Sequence, residues 1–149
     1  MPNYWILCIS EDNFEISIKH QMIGMGERRK RVIEQMEIGD LIAFYIPKKN
    51  IDSPPMNKVH QVRCFKGIAK ITGPAFESND VIWKVRGSDI FPYRRKVEFL
   101  NTEMNVPIKP LINKFSFVKN TAYWGIAFQK GYTQITEQDF ELIQEAVKS

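Results

Sequence analysis

Apolar positions along this chain fall in short runs separated by polar, turn-forming stretches. Tyr4 to Ile9 is one such run, reads as a strand, and ends at Ser10. Ser10-Glu11-Asp12-Asn13 are helix-starting residues, and Asp12 with Glu15 has the spacing of a capping box. Phe14 and Ile18 then predict a short helix with one apolar side, through about Lys19. Gly24 and Gly26 break the chain. Glu27 to Met36 predicts a second helix, with Val32, Ile33 and Met36 inside and the arginines outside. Gly39-Asp40 turns into Leu41 to Ile46, a buried strand.

The segment from Pro47 to Lys58, with three prolines, predicts an exposed loop. Val59 to Thr72 follows as a long strand bulged near Gly67, and Val81 to Val85 as another. Tyr93 to Leu100 alternates, which puts Tyr93, Arg95, Val97 and Phe99 on one face and Arg94, Lys96 and Glu98 on the other. Pro107 to Asn113 predicts one helical turn, and Tyr123 to Phe128 the last strand. The final helix is the best marked: Thr136 as N-cap, Asp139 at its positive end, Ile135 stapled to Phe140, and a stripe of Phe140, Ile143 and Val147. Strands outnumber helices without regular alternation, so the class is α+β around one sheet or barrel.

At 149 residues the sequence fits a single domain, 1–149. Its apolar runs are far shorter than the ~20 residues that span a bilayer, and Met1 to Ile9 reads as a strand rather than a signal peptide. The expected setting is cytoplasmic, away from membranes. Cys8 and Cys64 each sit in a strand-like run, as buried thiols or as one disulfide. His20 and His60 belong to no catalytic motif, and no metal site, cofactor loop or paired-carboxylate signature stands out. The pattern therefore asks for a binding protein, not an enzyme. A net charge of +4 favours polyanionic partners mildly. The basic residues gather in Arg28-Arg29-Lys30-Arg31, Lys48-Lys49 and Arg94-Arg95-Lys96, which are either solvated faces or a nucleic-acid surface.

Read end to end, the order of segments resembles the EVE domain family over nearly the whole chain. The matching pieces include Tyr4-Trp5-Ile6-Leu7, Ile38-Gly39-Asp40-Leu41, Gly67-Ile68-Ala69, Phe91-Pro92-Tyr93-Arg94, Ile108-Lys109-Pro110-Leu111-Ile112, and Asp139-Phe140-Glu141-Leu142-Ile143. The resemblance implies a PUA-like fold, a curved β-sheet or barrel flanked by helices. It also implies kinship with the YTH domain, which holds a methylated adenine of RNA in an aromatic cage, and a role in recognising modified bases in RNA or DNA. A base displaced from its stack, or one in a single strand, is held by π-faces worth ~1–3 kcal/mol each while polar groups read its edge.

Carried over position by position, the base pocket comprises Ser10, Asn13, Ile23, Gly24 and Trp83. The other reading of Ser10 and Asn13 is as cap or turn residues; that of Trp83 is core, and there the resemblance favours the pocket. At Ile23 both families often place tryptophan. An aliphatic wall keeps the pocket apolar but removes a π-face. Met22 and Met25 either supply polarisable surface there or are ordinary core. Lys119-Asn120 and Trp124 match positions near the pocket floor, Trp124 reading as core rather than contact, and Tyr93 is a further secondary pocket candidate. Arg28, Lys30, Arg31, Arg94 and Lys96 are the phosphate candidates, with a structural ion pair as the other reading of Arg94. Two further functions fit the same residues: a binder or enzyme of a small nucleobase-like metabolite, and a protein-interaction module.

Overall fold

The computed structural model describes residues 2–53, 58–85 and 87–148, apart from the side chain of Lys58. The elements run Tyr4–Cys8 (β1), Glu11–His20 (α1), Met22–Met25 (β2), Lys30–Gln35 (α2), Leu41–Lys48 (β3) and Gln61–Ile71 (β4). After these come Phe76–Glu77 (β5), Tyr93–Asn101 (β6), Val106–Pro107 (β7), Tyr132–Ile135 (β8) and Glu137–Lys148 (α3). The strands form one curved mixed sheet in the order β2-β6-β4-β3-β1-β8, with β5 added on β6 and β7 on β4. The class is α+β, a curled half-barrel with flanking helices.

β1 reads as a continuous apolar run because it is an interior strand, parallel to β3 and antiparallel to β8. Alternation then divides the sheet into two cores. Trp5, Leu7, Ile42, Phe44 and Ile46 point into a core closed by Phe14 of α1, Ile23 and Met25 of β2, and Val32 and Ile33 of α2. Ile6, Ala43 and Tyr45 point the other way, against Phe140 and Ile143 of α3 and residues from Met104 to Phe128. Asp40 ties the starts of β1 and β3 together: its carboxylate accepts from the Asn3 and Glu37 amides and from the Trp5 indole. The bulge near Gly67 is present, where Phe44 faces Gly67 but Tyr45 faces Phe65. A Cβ on Gly67 would press into the Phe14 ring at 2.5 Å.

The structure corrects several expected elements. α1 begins at Glu11 with Ser10 in the N-cap position, so Asp12 lies inside the helix and forms no capping box. Residues 27–29 are a 3₁₀ turn leading into a shorter α2. The exposed loop expected from Pro47 starts later, since Pro47 and Lys48 belong to β3, and its Pro54 to Asn57 lie outside the described residues. Gly24 does not break the chain; it sits inside β2.

Val81 to Val85 is not a strand. The Asn13 side chain occupies both main-chain groups of Lys84, and the Trp83 indole turns inward to Ser17, leaving no ladder to form. Tyr123 to Phe128 is not a strand either. Asn120 accepts a hydrogen bond from the Ala122 amide and starts 3₁₀ turns through Phe128, so β8 is the last strand. α3 is capped as expected, with the Asp139 amide donating to Thr136 Oγ1 at 3.1 Å. Cys8 and Cys64 are both free thiols.

Candidate functional site

A cavity of about 250 Å³ opens where β1 hands over to α1. The elements bring their side chains there for separate reasons. β1 ends at Cys8, Ile9 keeps one last sheet contact through its amide to the Tyr45 carbonyl at 3.1 Å, and Ser10 then caps α1. α1 presents Asn13 and Ser17, four apart and therefore on one side of the helix. β2 supplies Ile23, Gly24 and Met25, β3 supplies Phe44 and, at its end, Pro47 and Lys48, and Ile51, Trp83, Phe91 and Gly131 also line it. The lining is mostly apolar; the residues that bring polar side-chain groups are Cys8, Ser10, Asn13, Ser17, Lys48 and, through its indole N–H, Trp83.

Trp83 is 4 % exposed and is held on several sides. Its Nε1–H donates to Ser17 Oγ at 2.9 Å. Gly24 lets the indole lie directly on the β2 backbone, where an added Cβ would meet Cζ3 at 2.4 Å. Phe91 packs edge-on at 6.2 Å between centroids, and the Arg94 guanidinium lies 5.0 Å from the indole centroid. Phe91 itself is left-handed, with φ of 57°, a conformation a bulky residue adopts only when its surroundings hold it there. Two of those restraints are visible. Its amide donates to Asp89 Oδ1 at 3.1 Å, and its carbonyl accepts from Arg94 Nε at 3.0 Å.

The five residues expected in a base pocket, Ser10, Asn13, Ile23, Gly24 and Trp83, all line this one cavity. Ser10 lines the cavity and donates its hydroxyl proton to Asp12, which leaves its Oγ only an acceptor role toward anything else. Asn13 Oδ1 accepts from the Lys84 amide at 2.7 Å and Nδ2 donates to the Lys84 carbonyl at 2.9 Å, leaving one N–H of the amide uncommitted by that pair. Replacing Asn13 by alanine should leave both Lys84 groups without these partners. The expected loss is ~1–3 kcal/mol of stability, together with greater acrylamide quenching of tryptophan fluorescence. Unchanged denaturation and quenching would show that the clamp does not position Trp83.

Other expected residues lie elsewhere. Met25 lines the cavity; Met22 is buried outside it, and Tyr93 stands apart beneath Lys30 Nζ, 6.0 Å from its ring centroid. Asn120 and Trp124 belong to the opposite side of the sheet, where Trp124 packs edge-on against Tyr45 and Phe128. Arg94 is corrected as a phosphate candidate. It is 1 % exposed, and its guanidinium donates to the carbonyls of Phe91, Asp80 and Ile90. Burial lowers its pKa, and the Asp80 carboxylate opposes that shift. Arg28, Lys30, Arg31 and Lys96 are at the surface.

Residues that the sequence pattern did not single out complete the surroundings. Ser17 had an available signal, its four-residue spacing from Asn13 on the helix. Phe91 and Lys48 stand in segments the sequence marks, the Phe91-Pro92-Tyr93-Arg94 piece and the Lys48-Lys49 pair, but nothing there places them at a pocket; Gly131 carries no signal, and all three arrive through long-range packing. Beside Gly131, the Tyr132 ring carries Arg29 at 5.4 Å and Lys130 at 4.9 Å, which gathers positive charge next to the cavity. Burial pushes the Cys8 thiol up to about 12, so it stays protonated and unreactive at ordinary pH. Among the described residues, no group of three or more His, Cys, Asp or Glu side chains stands together to hold a metal ion, and no helix is long and apolar enough to cross a membrane.

A curled mixed sheet with an apolar, tryptophan-walled cavity between its first strand and first helix defines the class. The sequence pattern of the EVE domain matches residues 3–146, and the chain belongs to the EVE domain family. It is 35% identical over 113 residues to a UPF0310 protein of Bacillus licheniformis encoded in a gntR 5′ region, covering 74% of this chain and 68% of that one. It is 29% identical over 145 residues to a UPF0310 protein of Mycobacterium avium, covering 96% of each. The fold is similar to that of the Pho92 YTH domain solved in complex with m6A, with a TM-score of 0.63 and 12% identity over 99% of this chain and 84% of that one. It is also similar to the YTH domain of Zygosaccharomyces rouxii MRB1 solved with N6-methyladenosine RNA, with a TM-score of 0.61 and 15% identity over 99% and 87%.

Proposed function

We propose that this protein is a non-catalytic reader of nucleic acid that takes one modified base into the cavity beside Trp83. The observation that carries the reading is the cavity itself: apolar, walled by an indole, edged by a few polar groups and about 250 Å³ in volume. Sites for drug-sized ligands run from ~300 to 1,000 Å³, so this volume suits a single planar group. The similar folds solved with N6-methyladenosine support the same use of the cavity.

In this reading the base enters from single-stranded or base-flipped RNA or DNA and packs beside Trp83 against Ile23 and Met25. Ser10 Oγ offers an acceptor and the Asn13 amide its uncommitted N–H to the base edge. Arg28, Lys30 and Arg31, joined by Arg29 and Lys130, meet the phosphates of the flanking strand, with Lys96 as a more distant contact. Such contacts make affinity fall as salt rises while adding no base preference.

The test compares oligonucleotides that differ only in one modified base. Wild-type protein is expected to favour the modified strand, with a negative slope of log K against log salt. Trp83→Phe, which keeps a ring but no indole N–H, should retain part of that preference. Trp83→Ala should abolish it, through loss of a contact worth ~1–3 kcal/mol; circular dichroism checks that the variant is folded, since truncating a buried tryptophan costs ~3–5 kcal/mol. Equal binding of modified and plain strands by the wild type would sink the proposal. Salt-independent, saturable binding of a free nucleoside would assign the cavity to a metabolite instead.

A further inference from the structure

Most aromatic pockets attract cations, because the ring face is negative. Here that attraction is already engaged: the buried Arg94 guanidinium sits 5.0 Å from the Trp83 centroid. Three main-chain carbonyls fix it there. A second cation, Lys48, lines the cavity with its ammonium on the carbonyls of Ile51 and Ser53 at 2.9 and 3.3 Å. Among the described residues, no aspartate or glutamate lines the cavity.

The neighbouring carboxylates are committed elsewhere. Asp12 accepts from Ser10 Oγ and from the Asn13 and Ile51 amides, and it pairs with Lys84 at 3.8 Å. Asp89 accepts from the Glu27 and Phe91 amides. Asp80 lies on the Arg94 side, where it offsets part of the guanidinium charge. Cys8 remains a neutral thiol. With the indole facing one fixed cation and the wall carrying another, a positively charged occupant meets repulsion that a neutral one does not.

We propose that the cavity selects neutral heterocycles over cationic ones and that Arg94, with Lys48, sets this preference. The proposal rests on the base-reading function above and adds the charge class of the base: alkylation that leaves the ring neutral is accepted, and alkylation that makes it a cation is refused.

The experiment uses the full chain and one short oligonucleotide carrying either member of an isomer pair. N6-methyladenosine is neutral and 1-methyladenosine is a cation at neutral pH; 5-methylcytidine and 3-methylcytidine form the matching pyrimidine pair. Calorimetric titration is expected to show the neutral member binding about tenfold or more tightly in whichever pair binds, the scale of a charge repulsion across several ångströms of protein. Raising the pH until the cationic base loses its proton should narrow that gap, while affinity for the neutral member stays level. Equal or tighter binding of the cation overturns the inference and leaves the reader function standing. A preference that ignores pH also overturns it, because shape would then be the discriminator. Binding of neither member in either pair overturns the reader function and this inference together. Arg94→Met should bring the two affinities closer. If that variant does not fold, Lys48→Met carries the same expectation, and an unchanged ratio in the folded variants removes these residues as the cause.

Discussion

Gly24→Ala is expected to destabilise the protein by ~1–3 kcal/mol and, on the proposed reading, to remove base binding, although glycine is otherwise a poor strand residue. Replacing an interior strand glycine by alanine normally gains ~0.5–1 kcal/mol. Here the new methyl would stand 2.4 and 2.5 Å from two indole carbons and 3.0 Å from the Phe91 carbonyl oxygen. Overpacking of this kind costs ~1–3 kcal/mol, so the steric penalty exceeds the backbone gain. The indole has nowhere easy to retreat, since Ser17 holds its N–H and Arg94 and Phe91 pack against its ring. It must move toward the cavity or the loop must lift. Thermal denaturation should show a midpoint lowered by roughly 2–4 °C per kcal/mol, and modified-strand affinity should fall to that of plain strand. Gly125→Ala is the control, because a methyl added there would have nothing within 4 Å; that change should stay within ~0.5 kcal/mol. A Gly24 variant as stable and as tightly binding as wild type would show that the indole does not rest on β2.

Arg94→Ala is expected to be the more damaging change, and to act through folding rather than through phosphate contact. Removing the guanidinium leaves the carbonyls of Asp80, Ile90 and Phe91 without its hydrogen bonds; a carbonyl fully stranded from water costs ~1–3 kcal/mol, and these part-buried ones cost less. It also removes a desolvated cation–π contact with Trp83, worth up to ~2 kcal/mol. These terms overlap, and a total of at least ~3 kcal/mol is expected against a typical stability of ~5–15 kcal/mol. Urea denaturation should therefore show a much lower midpoint. In whatever folded fraction binds nucleic acid, the slope of log K against log salt should match wild type, whereas neutralising Arg28 or Arg31 should flatten it by about one unit each. A flattened slope with normal stability for the Arg94 variant would return that residue to the phosphate-binding surface.

Elements whose side chains obey one period were legible in the sequence. β1, β3 and α3 announce themselves by apolar runs, alternation and capping, because burial on a sheet or helix face leaves that trace directly. β2 was not legible: its glycine looks like a break until Trp83 is seen filling the place of a side chain. Residues 81–85 have a strand's composition, but the Asn13 side chain takes the main-chain groups of Lys84 that a strand would need, and the Trp83 indole is drawn inward to Ser17.

The site shows the same division. Resemblance to the EVE family named five residues that meet at one cavity, while Phe91, Lys48 and Gly131 reach it only through the pairing of distant strands and loops. Charge misled where burial decided. Arg94-Arg95-Lys96 reads as a solvated run, yet Arg94 turns to the carbonyls around Trp83 and Arg95 to the carbonyl of Met36; of the three, Lys96 alone is exposed.

The two flanks of the sheet, β2 and β8, are four residues each. An open flank is where a foreign chain adds itself by main-chain hydrogen bonding, and the longer the free margin, the stronger that temptation. A margin of four residues offers too little ladder to hold an intruder, and on the β2 side Gly24 is overlaid by an indole. Crowded solutions of this protein should therefore resist fibre-like stacking for as long as the curl of the sheet survives.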